Sequence, residues 1–255
     1  MTELRHGQNG RADVSPEIQR FWDTQAPAYD DSPAHYPSRA QERAAWAAAL
    51  RRMLPDPPAR ILDVGAGTGF LSMLLADHGY QVTALDFAPG MLRELRARAT
   101  RHALEVETVE ADALRPPAGR FDAVVERHLL WTLPDPAAAL AAWHQAAPAG
   151  RLLLFEGSWG TADAVTRLRT IGRAIAERRR GAPRRHTHYS EQVASELPHA
   201  RGFRPGELAE LVQASPWGRA RLERLRDVEW AAVEGTGFLD ELLGTHPRWA
   251  MIAGS

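Results

Sequence analysis

Three glycines at alternate positions, Gly65, Gly67 and Gly69, follow the apolar run Ile61-Leu62-Asp63-Val64 and precede Phe70-Leu71-Ser72-Met73-Leu74-Leu75. A residue without Cβ takes positive φ readily and lets main chain approach a ligand closely. A buried strand, a glycine turn and a helix together form a nucleotide-binding arrangement. The spacing narrows the choice of nucleotide. A dinucleotide fingerprint reads G-x-G-x-x-G and sets a helix N-terminus on a pyrophosphate. Here the third glycine of that pattern falls on Phe70. Asp86 lies about 20 residues past the turn, where an acidic residue receives ribose hydroxyls. An ionised carboxylate accepts two hydroxyl hydrogens at once through charge-assisted bonds. The structural alternative for Asp86 is a helix N-cap before Pro89.

Other residue types with chemical potential are scattered. His128 is the candidate general base, because an imidazole titrates near neutral pH. Glu156, Tyr29, Tyr36, His188 and Tyr189 are weaker candidates, each with packing as its plainer explanation. His186 and His188 form an H-x-H pair, but no carboxylate pattern or thiolate completes a metal site, so no metal is expected. Arg178-Arg179-Arg180-Gly181-Ala182-Pro183-Arg184-Arg185 could contact phosphates. It could also hold an acidic substrate group, or be a solvated helix end favoured by the helix dipole. No aromatic residues interleave with the run, which argues against nucleic acid and for a small-molecule acceptor.

The chain has 255 residues, room for one α/β domain and an accessory segment. A net charge of -1 gives no overall pull toward nucleic acid or anionic membrane. With no cysteine, disulfides, thiolate metal sites and cysteine nucleophiles are excluded. All 31 basic residues are arginine, which rules out a lysine Schiff base. No run approaches the ~18 apolar residues that span a bilayer, and the polar start lacks a signal-peptide core. A cytoplasmic protein is expected.

The elements that would position these residues read in order. Residues 1–14 are expected to be a flexible N-terminus. A helix starts at Ser15-Pro16-Glu17 and carries Ile18, Phe21 and Trp22 on one face. A second spans Arg39 to Leu50 and stops at Pro55. Strands are expected at Ala59 to Val64, Tyr80 to Leu85, Leu104 to Val109, Phe121 to Glu126, Arg151 to Glu156, about Arg219 to Glu229, and Arg248 to Ala253. Helices are expected from about Gly69 to His78, Pro89 to His102, Pro136 to Ala147 and Arg204 to Ala214. The α/β alternation breaks over residues 161–204.

Leu62-Asp63-Val64-Gly65-Ala66-Gly67-Thr68-Gly69 resembles motif I of the class I S-adenosylmethionine (SAM) dependent methyltransferases. Val82-Thr83-Ala84-Leu85-Asp86-Phe87-Ala88-Pro89-Gly90-Met91-Leu92 resembles motif II, and Phe121 to Pro136 the segment after strand 4. Phe21-Trp22-Asp23-Thr24-Gln25-Ala26-Pro27-Ala28-Tyr29-Asp30 resembles the N-terminal cap of small-molecule methyltransferases of the ubiquinone-biosynthesis type.

The resemblance implies a Rossmann-like, seven-stranded, mostly parallel sheet with helices on both faces. Strand 7 would be antiparallel and lie between strands 5 and 6. One methyltransferase domain would cover 15–255. It would divide into a helical cap (15–55), a SAM-binding core (56–157), a substrate lid (158–204) and a C-terminal core helix and strands (205–255). The implied cofactor is SAM, leaving as S-adenosyl-L-homocysteine. Its contacts would be Asp63, Gly65, Ala66, Gly67, Asp86, Phe87, Met91, Asp112 and Ala113. Tyr29 would close the lid, Arg39 would meet the carboxylate, and Arg127 would give a main-chain carbonyl. Phe87 and Met91 would flank the adenine, and Asp112 would accept from its amino group. His128 would face the methyl group, with Tyr36, Trp159, His188 and Tyr189 toward the acceptor, while Trp131 and Leu133 would be core. The implied reaction is in-line transfer to an oxygen or nitrogen of a small metabolite, with natural-product biosynthesis as the expected setting. An RNA or protein methyltransferase using Arg178 to Arg185, and a non-catalytic SAM-binding protein, are the alternatives. A second subunit could complete the lid as a homodimer.

Overall fold

The computed structural model describes residues 15–32, 35–37, 39–117, 119–156, 172, 189–200, 202–237, 245 and 247–254. Its centre is a seven-stranded sheet ordered β3-β2-β1-β4-β5-β7-β6. The strands are β1 (Arg60–Val64), β2 (Gln81–Asp86), β3 (Glu107–Glu110), β4 (Ala123–Arg127), β5 (Arg151–Phe155), β6 (Ala220–Arg224) and β7 (Trp249–Gly254). The first five pair in parallel, and β7 runs antiparallel to both β5 and β6. This is the expected sheet, with β7 between β5 and β6.

The central strands are apolar on both faces because helices cover both. Successive side chains alternate sides. Leu62, Val64, Val124, Leu152 and Leu154 pack toward α5 (Pro136–Ala146) and α7 (Pro205–Ala214). Ile61, Val125, Leu153 and Ile252 pack toward α2 (Ala40–Met53), α3 (Phe70–Asp77) and α8 (Arg226–Val233). Burying side chains such as Ile61, Leu62, Leu153 and Leu154 stabilises the sheet by roughly 1.5–3 kcal/mol each. Pro136 starts α5, and Asp135 caps it by accepting from Ala138 N–H. Among the described residues, no helix is long and apolar enough to cross a membrane.

Two N-terminal elements lie over the strand ends. α1 (Ser15–Gln25) runs into a 3-10 turn, Ala26–Asp31. α1 packs on α4 (Pro89–Arg101), where Asp23 Oδ1 accepts from Gly90 N–H at 2.6 Å. That bond satisfies one of the free amides at the start of α4. A Cβ on Gly90 would sit 2.8 Å from the same oxygen, so glycine there sets how closely α1 approaches.

One expected element divides. The stretch expected as strand 6 is β6 only to Arg224, and α8 begins at Arg226. Leu225, Val228 and Ala231 are buried at a spacing of three, a helical stripe facing α2. Asp227 and Glu229 suit the positive end of that helix. Asp227 also pairs with Arg52 of α2 at 2.7 Å. The short α6 (Glu191–Glu196) buries Val193 in a cluster with Ile18, Leu197, Trp22, Phe87 and Tyr189.

Candidate active site

Parallel strands deliver their C-terminal ends to one edge of the sheet, and the site is built there. Gly65 and Ala66 N–H both donate to Leu85 O of β2, at 2.8 and 3.0 Å, which fixes the turn against the neighbouring strand. Gly65 has φ +68°, and a Cβ there would meet Leu129 at 2.8 Å. Glycine is therefore required by both backbone and packing, since Leu129 belongs to the turn after β4. At Gly69 (φ +92°) a Cβ would lie 2.6 Å from Leu95 of α4.

Asp86 closes the turn from the β2 side. Its Oδ2 accepts from Gly67 N–H at 2.8 Å and its Oδ1 from Ala88 N–H at 2.9 Å. Burial pushes its pKa up to about 6, against these stabilising amides. It is an ionised carboxylate at neutral pH with a lone pair on each oxygen still available. Asp63, one strand over, accepts from Ser72 Oγ at 2.5 Å, and burial raises it to about 7. The cap is tied to the same turn: Asp30 accepts from Thr68 Oγ1 at 2.6 Å and pairs with Arg98, whose Nη1 donates to Thr68 O at 2.7 Å. The Tyr29 ring lies over Gly67 and stacks on His35 at 4.0 Å.

These elements line a cavity of about 160 Å³ that opens to solvent. Phe87 and Met91 line one side of it, with Asp112, Ala113 and Leu114. Trp143 of α5 steadies that wall by donating from Nε1 to Ala113 O at 2.8 Å. Asp112 is exposed and uses Oδ1 to accept from Leu114 N–H. Ile18, Trp22 and Tyr29 line it from the cap, and Arg127, His128 and Leu129 from the turn after β4.

Arg127 and His128 differ from their neighbours. The buried Arg127 guanidinium donates to His35 O at 2.7 Å and lies over the Phe70 ring at 4.7 Å. Burial, reinforced by Arg248, lowers its pKa to about 10, so it stays cationic. His128 has φ +62°, an uncommon conformation for a residue with Cβ. Its Nδ1 is buried without a hydrogen-bond partner among the described residues. Burial, then Arg127, His35 and Arg248, hold its pKa well below the usual 6.5. It is therefore a neutral imidazole at neutral pH, not one poised at its titration point.

Of the sequence-predicted residues, the cavity wall gathers Tyr29, Gly65, Gly67, Asp86, Phe87, Met91, Asp112, Ala113, Arg127 and His128. Others are placed elsewhere. Asp63 faces Ser72 beneath the turn, and Ala66 packs toward Met73, Leu92 and Leu95. Arg39 donates to Ala232 O and Glu234 O at the C-terminal end of α8, so it is not a cavity residue. The unsatisfied carbonyls of a helix end attract that cation. Tyr36 lies beneath Arg98 at 4.0 Å and against Phe70. Tyr189 accepts from Trp22 Nε1 at 2.8 Å and packs on Trp131, one layer behind the wall. Leu133, expected as core only, is buried and also lines the cavity. Trp159, His188 and the run Arg178 to Arg185 lie outside the described residues. Sequence reasoning missed the Asp30–Thr68–Arg98 tie, for which no motif exists, and the inward side chain of Arg127.

Comparison with known proteins agrees with this geometry. The methyltransferase domain family matches residues 38–215. The chain belongs to the class I SAM-dependent methyltransferases. The methyltransferase is 33% identical over 226 residues to a ubiquinone biosynthesis O-methyltransferase of Xanthomonas campestris pv. campestris (strain B100), covering 84% of this chain and 87% of that one. Its fold is similar to the 1,6-didemethyltoxoflavin-N1-methyltransferase of Burkholderia thailandensis, with a TM-score of 0.57 and 19% identity over 98% of this chain and 92% of that one. Magnesium protoporphyrin IX methyltransferase of Synechocystis PCC 6803 gives a TM-score of 0.51 and 14% identity over 97% and 90%. The cofactor is SAM, and the residues present fit it. An anion at the β2 end, an apolar clamp and a cation across the glycine turn match a ribose, an adenine and a carboxylate in charge and polarity.

Proposed function

We propose that this methyltransferase transfers a methyl group to an oxygen or nitrogen of a small-molecule acceptor by direct in-line displacement. The carrying observation is His128, a neutral imidazole in the cavity wall. A neutral imidazole has one ring nitrogen that accepts a hydrogen bond, and an acceptor O–H or N–H can donate to it. Bound SAM supplies a methyl group already activated by its sulfonium. The protein's task is then alignment and exclusion of water.

Each wall has a role in that reading. Asp86 receives the ribose hydroxyls, Phe87 and Met91 hold the adenine between them, and Asp112 and Ala113 meet its polar edge. Arg127 is the counter-ion for the carboxylate, the part first assigned to Arg39. Its support is that Arg127 lines the cavity and its guanidinium stays charged. Tyr29 closes the cap over Gly67. His128 accepts the acceptor's hydrogen bond, orients its nucleophilic lone pair and takes the proton as transfer proceeds. Its depressed pKa makes it a better hydrogen-bond acceptor site than a strong base, which suits nucleophiles that ionise readily. Residues 158–204 are the proposed substrate lid, with Val193 and Leu197 resting on Ile18 of the cap.

The test is a methyl-transfer screen with isotopically labelled SAM against hydroxylated and aminated small molecules. Label in an O- or N-methyl product, lost in His128→Ala, is the expected result. Label found only in C-methyl products would overturn the reading.

A further inference from the structure

Beneath the turn that carries His128, two buried glutamates meet at the ends of β4 and β5. Glu126 is fully buried and Glu156 is 6% exposed. Glu126 Oε2 accepts from Leu129 N–H at 2.9 Å and from Leu130 N–H at 3.3 Å. Glu156 Oε1 accepts from the same Leu130 N–H at 2.9 Å. Two carboxyl groups that accept from one N–H lie side by side. Their remaining oxygens, Glu126 Oε1 and Glu156 Oε2, are buried and have no hydrogen-bond partner among the described residues. An ionised carboxylate has no hydrogen to donate. A bond between two carboxyl groups therefore requires a proton on one of them.

We propose that Glu126 and Glu156 share a single proton, and that this proton positions the turn 127–130 and the His128 imidazole in the cavity wall. The φ of His128 needs such a hold, since a left-handed conformation is uncommon at a residue with Cβ. The amides that supply the hold are the two that directly follow it. A single buried carboxylate would serve those amides, so a second acid converging on Leu130 N–H calls for a separate explanation. The shared proton is one: it lets two acids occupy one site with one net charge. Burial and the neighbouring Glu126 raise Glu156 well above the usual range, and burial pushes Glu126 to about 7. The charged group that acts on the pair from a neighbouring strand is Asp63 of β1, and Arg127 and His128 follow Glu126 directly in the chain. Loss of the proton to solvent leaves two anions side by side. Their repulsion loosens Leu130 and frees His128 to leave its left-handed conformation.

The inference touches catalysis only through the reading of His128, so its test uses the free protein and no acceptor. Amide and imidazole ¹⁵N shifts are followed from about pH 6 to about pH 9, the range into which paired buried carboxyls move. In wild type, Leu129 N–H, Leu130 N–H and His128 should shift together along one titration. In Glu156→Gln the side-chain NH₂ replaces the shared proton and its carbonyl still accepts from Leu130. The three signals should then stay at their low-pH positions throughout. In Glu156→Ala, His128 should be displaced at every pH. S-adenosylhomocysteine affinity by calorimetry should be unchanged in Glu156→Gln. The infrared band of a protonated carboxyl, present in wild type at neutral pH, should weaken in Glu156→Gln and Glu126→Gln. A His128 and Leu130 titration in Glu156→Gln identical to wild type would overturn the proposal, as would loss of homocysteine-product affinity in that variant. If neither glutamine variant folds, the wild-type amide titration and infrared band decide, and absence of either overturns it.

Discussion

On the β2 side of the cavity, Asp86 spends an acceptor site of each oxygen on a backbone amide, and Asp63 is tied to Ser72. The turn that carries the glycines is held by bonds to Leu85 O and by the Asp30–Thr68–Arg98 tie. On the β4–β5 side, His128 Nδ1, Glu126 Oε1 and Glu156 Oε2 are buried without a partner among the described residues, and His128 has an uncommon backbone conformation. Buried polar groups in folded proteins are normally satisfied, so a cluster of exceptions calls for an account. On the proposed assignment, the cofactor side is complete before anything binds, and the acceptor side is finished by what arrives there, a proton or a substrate. One half of the cavity is general to its chemistry, and the other is where a particular acceptor would be recognised.

The largest expected effect is on stability against pH, because several buried carboxyls contribute with one sign. Asp63 and Glu126 are raised to about 7, Asp86 to about 6, and Glu156 is raised further from its usual range. A carboxyl raised in the fold binds its proton more tightly there than in the unfolded chain. Its contribution is whole below the unfolded pKa near 4 and is lost as pH rises through the folded value. His128, depressed by burial, acts in the opposite direction below its usual 6.5. His199, also lowered by burial, acts with it, so two histidines stand against four carboxyls. The melting temperature should therefore fall between about pH 5 and about pH 8. A melting temperature that climbs steadily across that window would contradict the burial of these acids. Product binding should divide the two sides. If ribose hydroxyls donate to the ionised Asp86, S-adenosylhomocysteine affinity should rise with pH through about 6 and then level off.

Next is His128→Ala, expected to reduce turnover of the acceptor found by screening by ~100-fold, about 2.7 kcal/mol of transition-state stabilisation. S-adenosylhomocysteine affinity should stay nearly constant. A variant that lost affinity and kept turnover would reverse the assignment of the two sides. Asp86→Ala should do the opposite, weakening S-adenosylhomocysteine binding by roughly 1–3 kcal/mol, the scale of a hydrogen bond to a charged group. It should also lower the melting temperature without ligand, since Gly67 and Ala88 N–H lose their acceptor. Unchanged calorimetric affinity would remove Asp86 from the ribose site.

The glycine turn and Asp86 could be read in the sequence because their chemistry is local. A strand, a turn of fixed geometry and an acid at the next strand end leave a spacing. The two-sided apolar strands were legible for the same reason. Strand 6 was over-extended because no glycine or proline ends it between Arg219 and Glu229, and the helical spacing of Leu225 and Val228 has meaning only once α2 is seen opposite them. Glu126 and Glu156 stand thirty positions apart, and only the parallel register of β4 with β5 brings them together. Arg127 was readable as a position but not as a direction. Its side chain turns inward because Phe70 and Trp46 offer ring faces at 4.7 and 5.4 Å, and those rings come from separate helices.

The arginines give the smallest effect and the sharpest division. Arg39 holds carbonyls at the end of α8 and does not line the cavity it was expected to join. A cation at a helix C-terminus contributes about 0.3–1 kcal/mol to stability, so Arg39→Ala should lower the melting temperature slightly and leave S-adenosylhomocysteine affinity untouched. Arg127→Met keeps the stem that packs on Phe70 and removes the charge, and it should weaken that affinity by more than Arg39→Ala does. The pair matters more than either variant alone. Loss of affinity in Arg39→Ala with none in Arg127→Met would mean that the cap, not the turn after β4, holds the carboxylate. The cation beside His128 would then belong to the acceptor, and the division between a finished cofactor side and an open acceptor side would run through Arg127 itself.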